Sequence, residues 1–181
     1  MESTEHDIKV RKALAWSACH KLKKIWTSSL KKSIKVRLFI STVESVLLYN
    51  SNTWTLTKQM EKRLDGMYTR MLRMALNVSW KQHMTNEELY SGLPKVSAKI
   101  TMHRLRLSGH CVRHNEEVAS QLVLWQPVRG NPNRGRKPTD YIDTIKRDTH
   151  LENIDEIRKV MLERNLWKEF VKLARSGDRR K

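Results

Sequence analysis

Apolar residues recur at helical spacing through most of the chain, and no long alternating run marks a strand. Over residues 8–30, Val10, Leu14, Ala18, Leu22 and Ile25 follow at three- and four-residue steps, which predicts a helix with that stripe inward. Lys9, Lys12, Trp16, His20 and Lys23 then fall on the opposite face. Residues 33–49, SIKVRLFISTVESVLLY, are apolar nearly all round and predict a helix central to the core. Asn50 follows it, the residue type that after glycine best accepts the left-handed conformation at a helix end. Residues 58–76 carry Met60, Leu64, Met67, Met71 and Met74 at alternating steps of four and three, a seam for packing on another helix. Lys62, Arg63, Arg70 and Arg73 lie off that seam.

Thr85-Asn86-Glu87-Glu88 is a capping box, with Thr85 as N-cap and Glu88 at the third helical position, so a short helix follows and stops at Ser91-Gly92-Leu93-Pro94. Residues 96–114 predict a further helix, and residues 139–149 and 153–175 two more. In the last, Ile154, Ile157, Met161, Leu162, Leu166, Trp167, Phe170 and Val171 supply the contacts. QPVRGNPNRGRKP, residues 126–138, interrupts the pattern as a basic loop rich in glycine and proline. The fold class expected is all-α: a helical bundle over 8–95 behind a 1–7 tail, a 96–125 helical segment, the 126–138 loop, helices over 139–175 and a basic tail at 176–181. With 181 residues, one compact domain, or one with an appended module, is the expected organisation.

Charge sharpens this picture. Lys and Arg number 36 against 19 Asp and Glu, a formal net charge of +17. Such an excess costs self-repulsion unless it meets a polyanion, and nucleic acid is the common one. The surplus is uneven: between Ile8 and Val43, and again between Leu89 and Asn115, there are basic residues and no acid, whereas acids and bases nearly balance from Asp148 to Asp178. Two cysteines, Cys19 and Cys111, make no disulfide framework. The N-terminal MESTEHDIKV lacks signal-peptide character. The most apolar window, Leu38 to Tyr49, is too short for a membrane span and carries Glu44. An intracellular setting, nuclear or cytoplasmic and without membrane contact, is therefore expected.

Candidate chemistry centres on RLRLSGHCVRHNEE, residues 104–117. On a helix, His103, His110 and His114 border the buried face beside Leu107 and Cys111. His110 and His114 stand four residues apart and could share a metal, but no acid follows His110 as in His-Glu-x-x-His. A third ligand would have to be Cys111 or the distant Cys19, so hydrogen-bonded histidines at a partly buried face are the simpler expectation. Polymerase or nuclease chemistry needs clustered carboxylates to hold divalent ions. The densest acidic group, Asp140, Asp143 and Asp148, lies in a polar helix, and Asp143 and Asp148 do not share a face closely. No phosphate-binding glycine loop, serine elbow or Cys-His pair stands out. No catalytic residue, metal or cofactor is expected, and no enzymatic activity of the chain alone.

Four stretches resemble, in order, the C-terminal part of the reverse transcriptases of non-LTR (LINE-type) retrotransposons, most closely the RTE-like and Jockey-like groups. KVRLFISTVESVLLYNSNTWTLTK is similar to the segment after the palm, where a helix leads to Tyr-Gly-x-Glu-x-Trp; Tyr49 and Trp54 match, while Asn50 and Asn52 replace the glycine and the acid. RLDGMYTRMLRMALNVSWKQHMTNEEL resembles the thumb helix and its link, with Leu64, Arg70, Leu72, Arg73, Trp80, Thr85 and Asn86 in matching places. RLRLSGHCVRH resembles Arg-x-Leu-x-x-x-Gly-His-x-x-Arg through Arg104, Leu105, Gly109, His110 and Arg113. RGRKPTDYIDTIKRD resembles a basic Gly-Arg-Pro element and the short helix after it, with Tyr141 for a common tryptophan. The resemblance spans about residues 8–175. It implies thumb helices that hold a template–primer duplex and a following region that binds RNA and target DNA, with Tyr49, Trp54, Gly109 and His110 as structural signature residues. The palm with its catalytic aspartates, and the endonuclease, have no counterpart in the chain.

The first expectation is thus largely sequence-nonspecific binding of RNA or DNA, with polymerisation left to a palm acting in trans. Lys9, Lys12, Trp16 and Lys23 on the first helix, Arg63, Arg70 and Arg73 on the seam helix, Arg104, Arg106 and Arg113 around the Gly-His signature, and Arg134, Arg136 and Lys137 in the loop are the candidate contacts. A second expectation, of another class, is a protein-interaction module in which the 153–175 helix and the methionine seam dock on a partner and charge serves only solubility. A third is a translated relic without a stable fold.

Overall fold

A computed structural model of the chain describes residues 4–114, 118–126 and 139–176. Every regular element among the described residues is helical, with no strand, so the class is all-α. These residues fall into two compact units, one within Met1–Ser51 and Lys58–Ser97, the other within Asn52–Thr57 and Ala98–Lys181.

In the first unit, α1 covers Thr4–Lys21 and α2 the short stretch Lys23–Trp26. Residues 4–7, expected in a tail, are the first turn of α1. Glu5 and Asp7 sit where the helix dipole favours acids, and Asp7 pairs with Arg11 at 3.4 Å one turn on. The inward side of α1 is Ile8, Ala15 and Cys19, about a quarter-turn round the helix from the predicted stripe, and Val10 and Leu14 are exposed. Small side chains carry weak hydropathy, yet Ala15 and Cys19 bring α1 close to its neighbour, and Leu14 in that place would hold it off. α2 is separate because its end is held: the Trp26 indole donates to the Cys19 carbonyl at 2.8 Å, and buried Lys35 donates to the carbonyls of Trp26 and Ser28 at 2.5 and 2.8 Å.

The next helical run comprises α3 (Lys32–Phe39), a π turn (Ile40–Glu44) and α4 (Ser45–Leu48), and α1 packs on its second half. Hydroxyls open the π turn: Thr42 and Ser41 donate to the Leu38 carbonyl, and Ser45 to those of Ser41 and Thr42. Such back-bonds compete with the helix's own ladder. This helix is less central than its composition implied, because Ile34, Ser41 and Ser45 are exposed. Its buried side is Lys35, Phe39, Val43, Glu44, Leu47 and Leu48. Asn50 closes it at φ 61°, the left-handed geometry expected there.

α5 (Lys58–Ala75) buries Leu64, Met67 and Met71 of the seam together with Glu61, Tyr68, Leu72 and Ala75. Phe39 meets the Tyr68 ring edge-on at 5.3 Å, Tyr90 stacks on it at 6.1 Å, and the Tyr68 hydroxyl donates to the Glu44 carboxylate. α6 (Asn86–Tyr90) starts at the capping box read from the sequence: Thr85 Oγ1 accepts from Glu88 N, and Glu88 accepts from Thr85 N.

α7 (Val96–Arg113) starts in the first unit and continues in the second. There it is joined by α8 (Val118–Val123), α9 (Tyr141–Thr149), α10 (Ile154–Leu162) and α11 (Arg164–Ser176) around Leu105, Val112, Ile142, Ile145, Ile157, Met161 and Trp167. The helix predicted over 153–175 is two helices. Glu163 turns to φ −82°, ψ 96° with no glycine or proline to signal it, and the apolar spacing runs on across the break.

Residues 52–57 join this unit through their backbone. Tyr141 donates to the carbonyl of Asn52 at 3.0 Å, Arg104 to that of Trp54 at 2.8 Å and Arg147 to that of Leu56 at 2.8 Å. Three alternate carbonyls are thus satisfied by side chains, while Trp54 and Leu56 are buried.

Candidate nucleic-acid interface

The cations of the first unit are displayed best on α5. With the seam turned inward, Lys62, Arg63, Gly66 and Arg70 are exposed and fall within an arc of roughly 100°. Arg73 continues the arc but is half-buried and committed. Its guanidinium donates to the Met84 carbonyl at 2.8 Å and to Asn86 Oδ1 at 2.9 Å, and its own carbonyl accepts from Val78 N at 2.9 Å. Arg73, expected to contact phosphate, instead fastens both ends of the segment that follows α5.

That segment holds a 3₁₀ turn, Trp80–Gln82, whose N-cap Ser79 accepts from Lys81 N, and His83 closes it in the left-handed conformation at φ 45°. Trp80 is 77% exposed, and Lys81 and His83 are exposed beside it in sequence. Acids near the strip are mostly occupied. Glu61 is buried, Asp65 accepts from the backbone and hydroxyl of Ser97 at 2.9 and 2.8 Å, and Glu88 closes the capping box. Glu87 is exposed on α6.

On α1 and α2, Lys9 and Lys23 are exposed, whereas Lys12 and Trp16 are half-buried at the border of the inward face. Trp16 stacks on His20 with centroids 5.5 Å apart, so this ring is already partnered within its own helix. Tyr49 is exposed and carries the Arg11 guanidinium over its face at 4.3 Å. Trp54, the other residue of that signature, is 1% exposed in the core of the second unit.

The Gly-His signature on α7 is built for packing. Arg104, expected at phosphate, is fully buried: it pairs with Asp148 and donates to the Trp54 carbonyl. Leu105 is buried. The Trp167 indole crosses α7 at Gly109 and donates to the Leu105 carbonyl at 2.6 Å. A Cβ on Gly109 would lie 2.2 Å from that indole nitrogen, so only glycine admits the crossing. Arg113, also expected at phosphate, donates to the Met161 carbonyl at 2.7 Å, satisfying the end of α10 where the helix breaks. Burial and the nearby Arg164 charge hold the Arg113 pKa below its ordinary value.

What α7 leaves outward is Arg106 and His110, with His114 after them. His103 is half-buried at the border of the core as the wheel implied, whereas the other two histidines are not. His110 and His114 are exposed, with ring centroids 4.3 Å apart, and Cys111 is buried on the other side. Among the described residues, no three of His, Cys, Asp and Glu come together as a metal site. No described helix is long and apolar enough to cross a membrane. Arg134, Arg136 and Lys137 lie outside the described residues.

Sequence reasoning placed Lys62 off the seam but left it out of the candidate contacts, and it missed Trp80 as an outward ring. Lys62 was legible, since it lies off the methionine seam. Trp80 was not, because a tryptophan after a helix is as readily core as surface.

No protein-family model and no solved structure matches the chain. It is similar to an uncharacterised transposon-derived protein of Caenorhabditis elegans, 24% identical over 156 residues, which cover 82% of this chain and 56% of that protein. The chain thus spans a little over half the length of that relative, and the similarity supports a transposon-related origin.

Proposed function

We propose that this chain binds nucleic acid through its phosphate backbone, as the thumb and post-thumb part of a non-LTR retrotransposon reverse transcriptase would. The observation that carries this is the outward face of α5, where Lys62, Arg63 and Arg70 stand exposed together while the nearby acids Glu61, Asp65 and Glu88 are buried or bonded. Lys9, Lys23 and Arg106 add exposed cations on other helices. None of these contacts reads a base, so binding is largely independent of sequence. The transposon-derived relative and the net charge of +17 fit such a role. Polymerisation belongs to a palm, in another part of a longer protein or in trans, and the nucleus or cytoplasm is where such nucleic acid is met. A salt series with a labelled 20-base-pair duplex and a 20-nucleotide strand tests this. If some six phosphates are neutralised, log K on the duplex falls against log salt with a slope of about −5. Binding that ignores salt, or none at low salt, rejects it.

A second reading, docking on a protein, has one observation in its favour: Leu162 on α10 and Leu166 and Leu173 on α11 are exposed. The methionine seam cannot serve it, because Leu64, Met67 and Met71 are buried in the first unit's own core. Capture from a nuclease-treated lysate that depends on Leu166 and Leu173 favours docking; loss of all captured material on nuclease treatment favours nucleic acid.

A further inference from the structure

We propose that Trp80 is a base-stacking platform that makes the α5 strip favour single-stranded over duplex nucleic acid. This rests on the phosphate-binding reading above and specifies its substrate. Trp80 is the most exposed large apolar residue described, and leaving an indole in water forgoes the burial that such a ring normally finds. Its exposure does not come from a loose loop. Arg73 bonds Val78 on one side of it and Met84 on the other, Ser79 caps the turn that contains it, and His83 closes that turn. A ring presented on so fixed a turn loses little freedom when a ligand covers it.

Position selects the ligand. Arg73 is the last turn of the strip that displays Lys62, Arg63 and Arg70, so the fastened ring follows directly from the cations, with Lys81 next to it. Arg63 and Arg70, two turns apart, span about 10 Å of helix axis. The cations serve a phosphate chain of either kind. The indole serves only a base with a free face, because bases in a duplex already stack on each other. Cations with a following ring are the arrangement that holds single strands without reading sequence.

The test measures anisotropy of labelled 20-nucleotide oligo-dT and oligo-rU and of a mixed 20-base-pair duplex, with the full chain and its Trp80→Ala and Trp80→Phe variants. Trp80→Ala is expected to weaken single-strand binding about tenfold, leave duplex affinity within about twofold and leave the salt slope unchanged, while Trp80→Phe retains most of the affinity. A strand carrying 5-iodouracil, photocrosslinked to the unaltered chain, is expected to map to the tryptic peptide 74–81. Single-strand affinity untouched by Trp80→Ala, an equal loss on duplex, or crosslinks confined to other peptides would each overturn the stacking role while phosphate binding stands. An unaltered chain that binds none of the three probes removes the phosphate-binding reading, and this inference with it.

Discussion

At Gly109 a missing methyl group decides how two helices meet. The Trp167 indole occupies the space a Cβ would need and bonds the Leu105 carbonyl beneath it. Gly109→Ala is therefore expected to cost about 1–3 kcal/mol by overpacking. In a Trp167→Phe background, where the ring is smaller, the penalty should shrink; urea unfolding of the four chains measures the coupling. The same scale governs Arg104. Asp148→Asn would leave a buried guanidinium without its carboxylate, and a loss of about 3–5 kcal/mol is expected from urea midpoints.

Two tyrosines bear on stability at alkaline pH. Burial first, then the Glu44 carboxylate, pushes the Tyr68 phenol up, and burial does the same at Tyr141. The folded chain keeps protons there that the unfolded chain releases above about pH 10. Their contribution to stability is whole below that pH and declines as pH rises further. Urea midpoints should show this decline, with a shallower slope in a Tyr68→Phe/Tyr141→Phe chain; an unchanged slope would place its origin elsewhere. The sequence made Arg104, Gly109 and Arg113 visible as a spaced signature but assigned the arginines to phosphate. Their use depends on Asp148, Trp167 and Met161, residues 44 to 58 positions away, which no local pattern discloses.

Among the helices, α5 was the most legible, because large apolar side chains at regular steps outweigh other signals, and its outward cations followed from the same wheel. α1 was misread because its inward residues, Ala15 and Cys19, are small, while Val10 and Leu14 look like core and are not. The break at Glu163 escaped because the apolar spacing continues through it. Gly66 gives α5 a counterpart to Gly109: a Cβ there meets nothing within 4 Å. Gly66→Ala should stabilise the chain by about 0.5–1 kcal/mol, since an exposed mid-helix glycine only adds freedom to the unfolded state. Lower stability on thermal unfolding would mean that α5 is not helical through its centre.

Over the whole molecule, the two units use their positive charge differently. In the second, Arg104, Arg113 and Arg147 hold backbone carbonyls and leave Arg106 outward on α7; in the first, α5 displays Lys62, Arg63 and Arg70 on one face. Net charge raised the expectation of a polyanion, yet which arginines stay exposed depends on tertiary structure. The direct test compares salt slopes of duplex binding for the unaltered chain and an Arg63→Gln/Arg70→Gln chain. Loss of two phosphate contacts should make the slope shallower by about 1.8 and weaken binding at low salt. An unchanged slope and affinity in a normally folded double variant would show that α5 does not meet the phosphate chain.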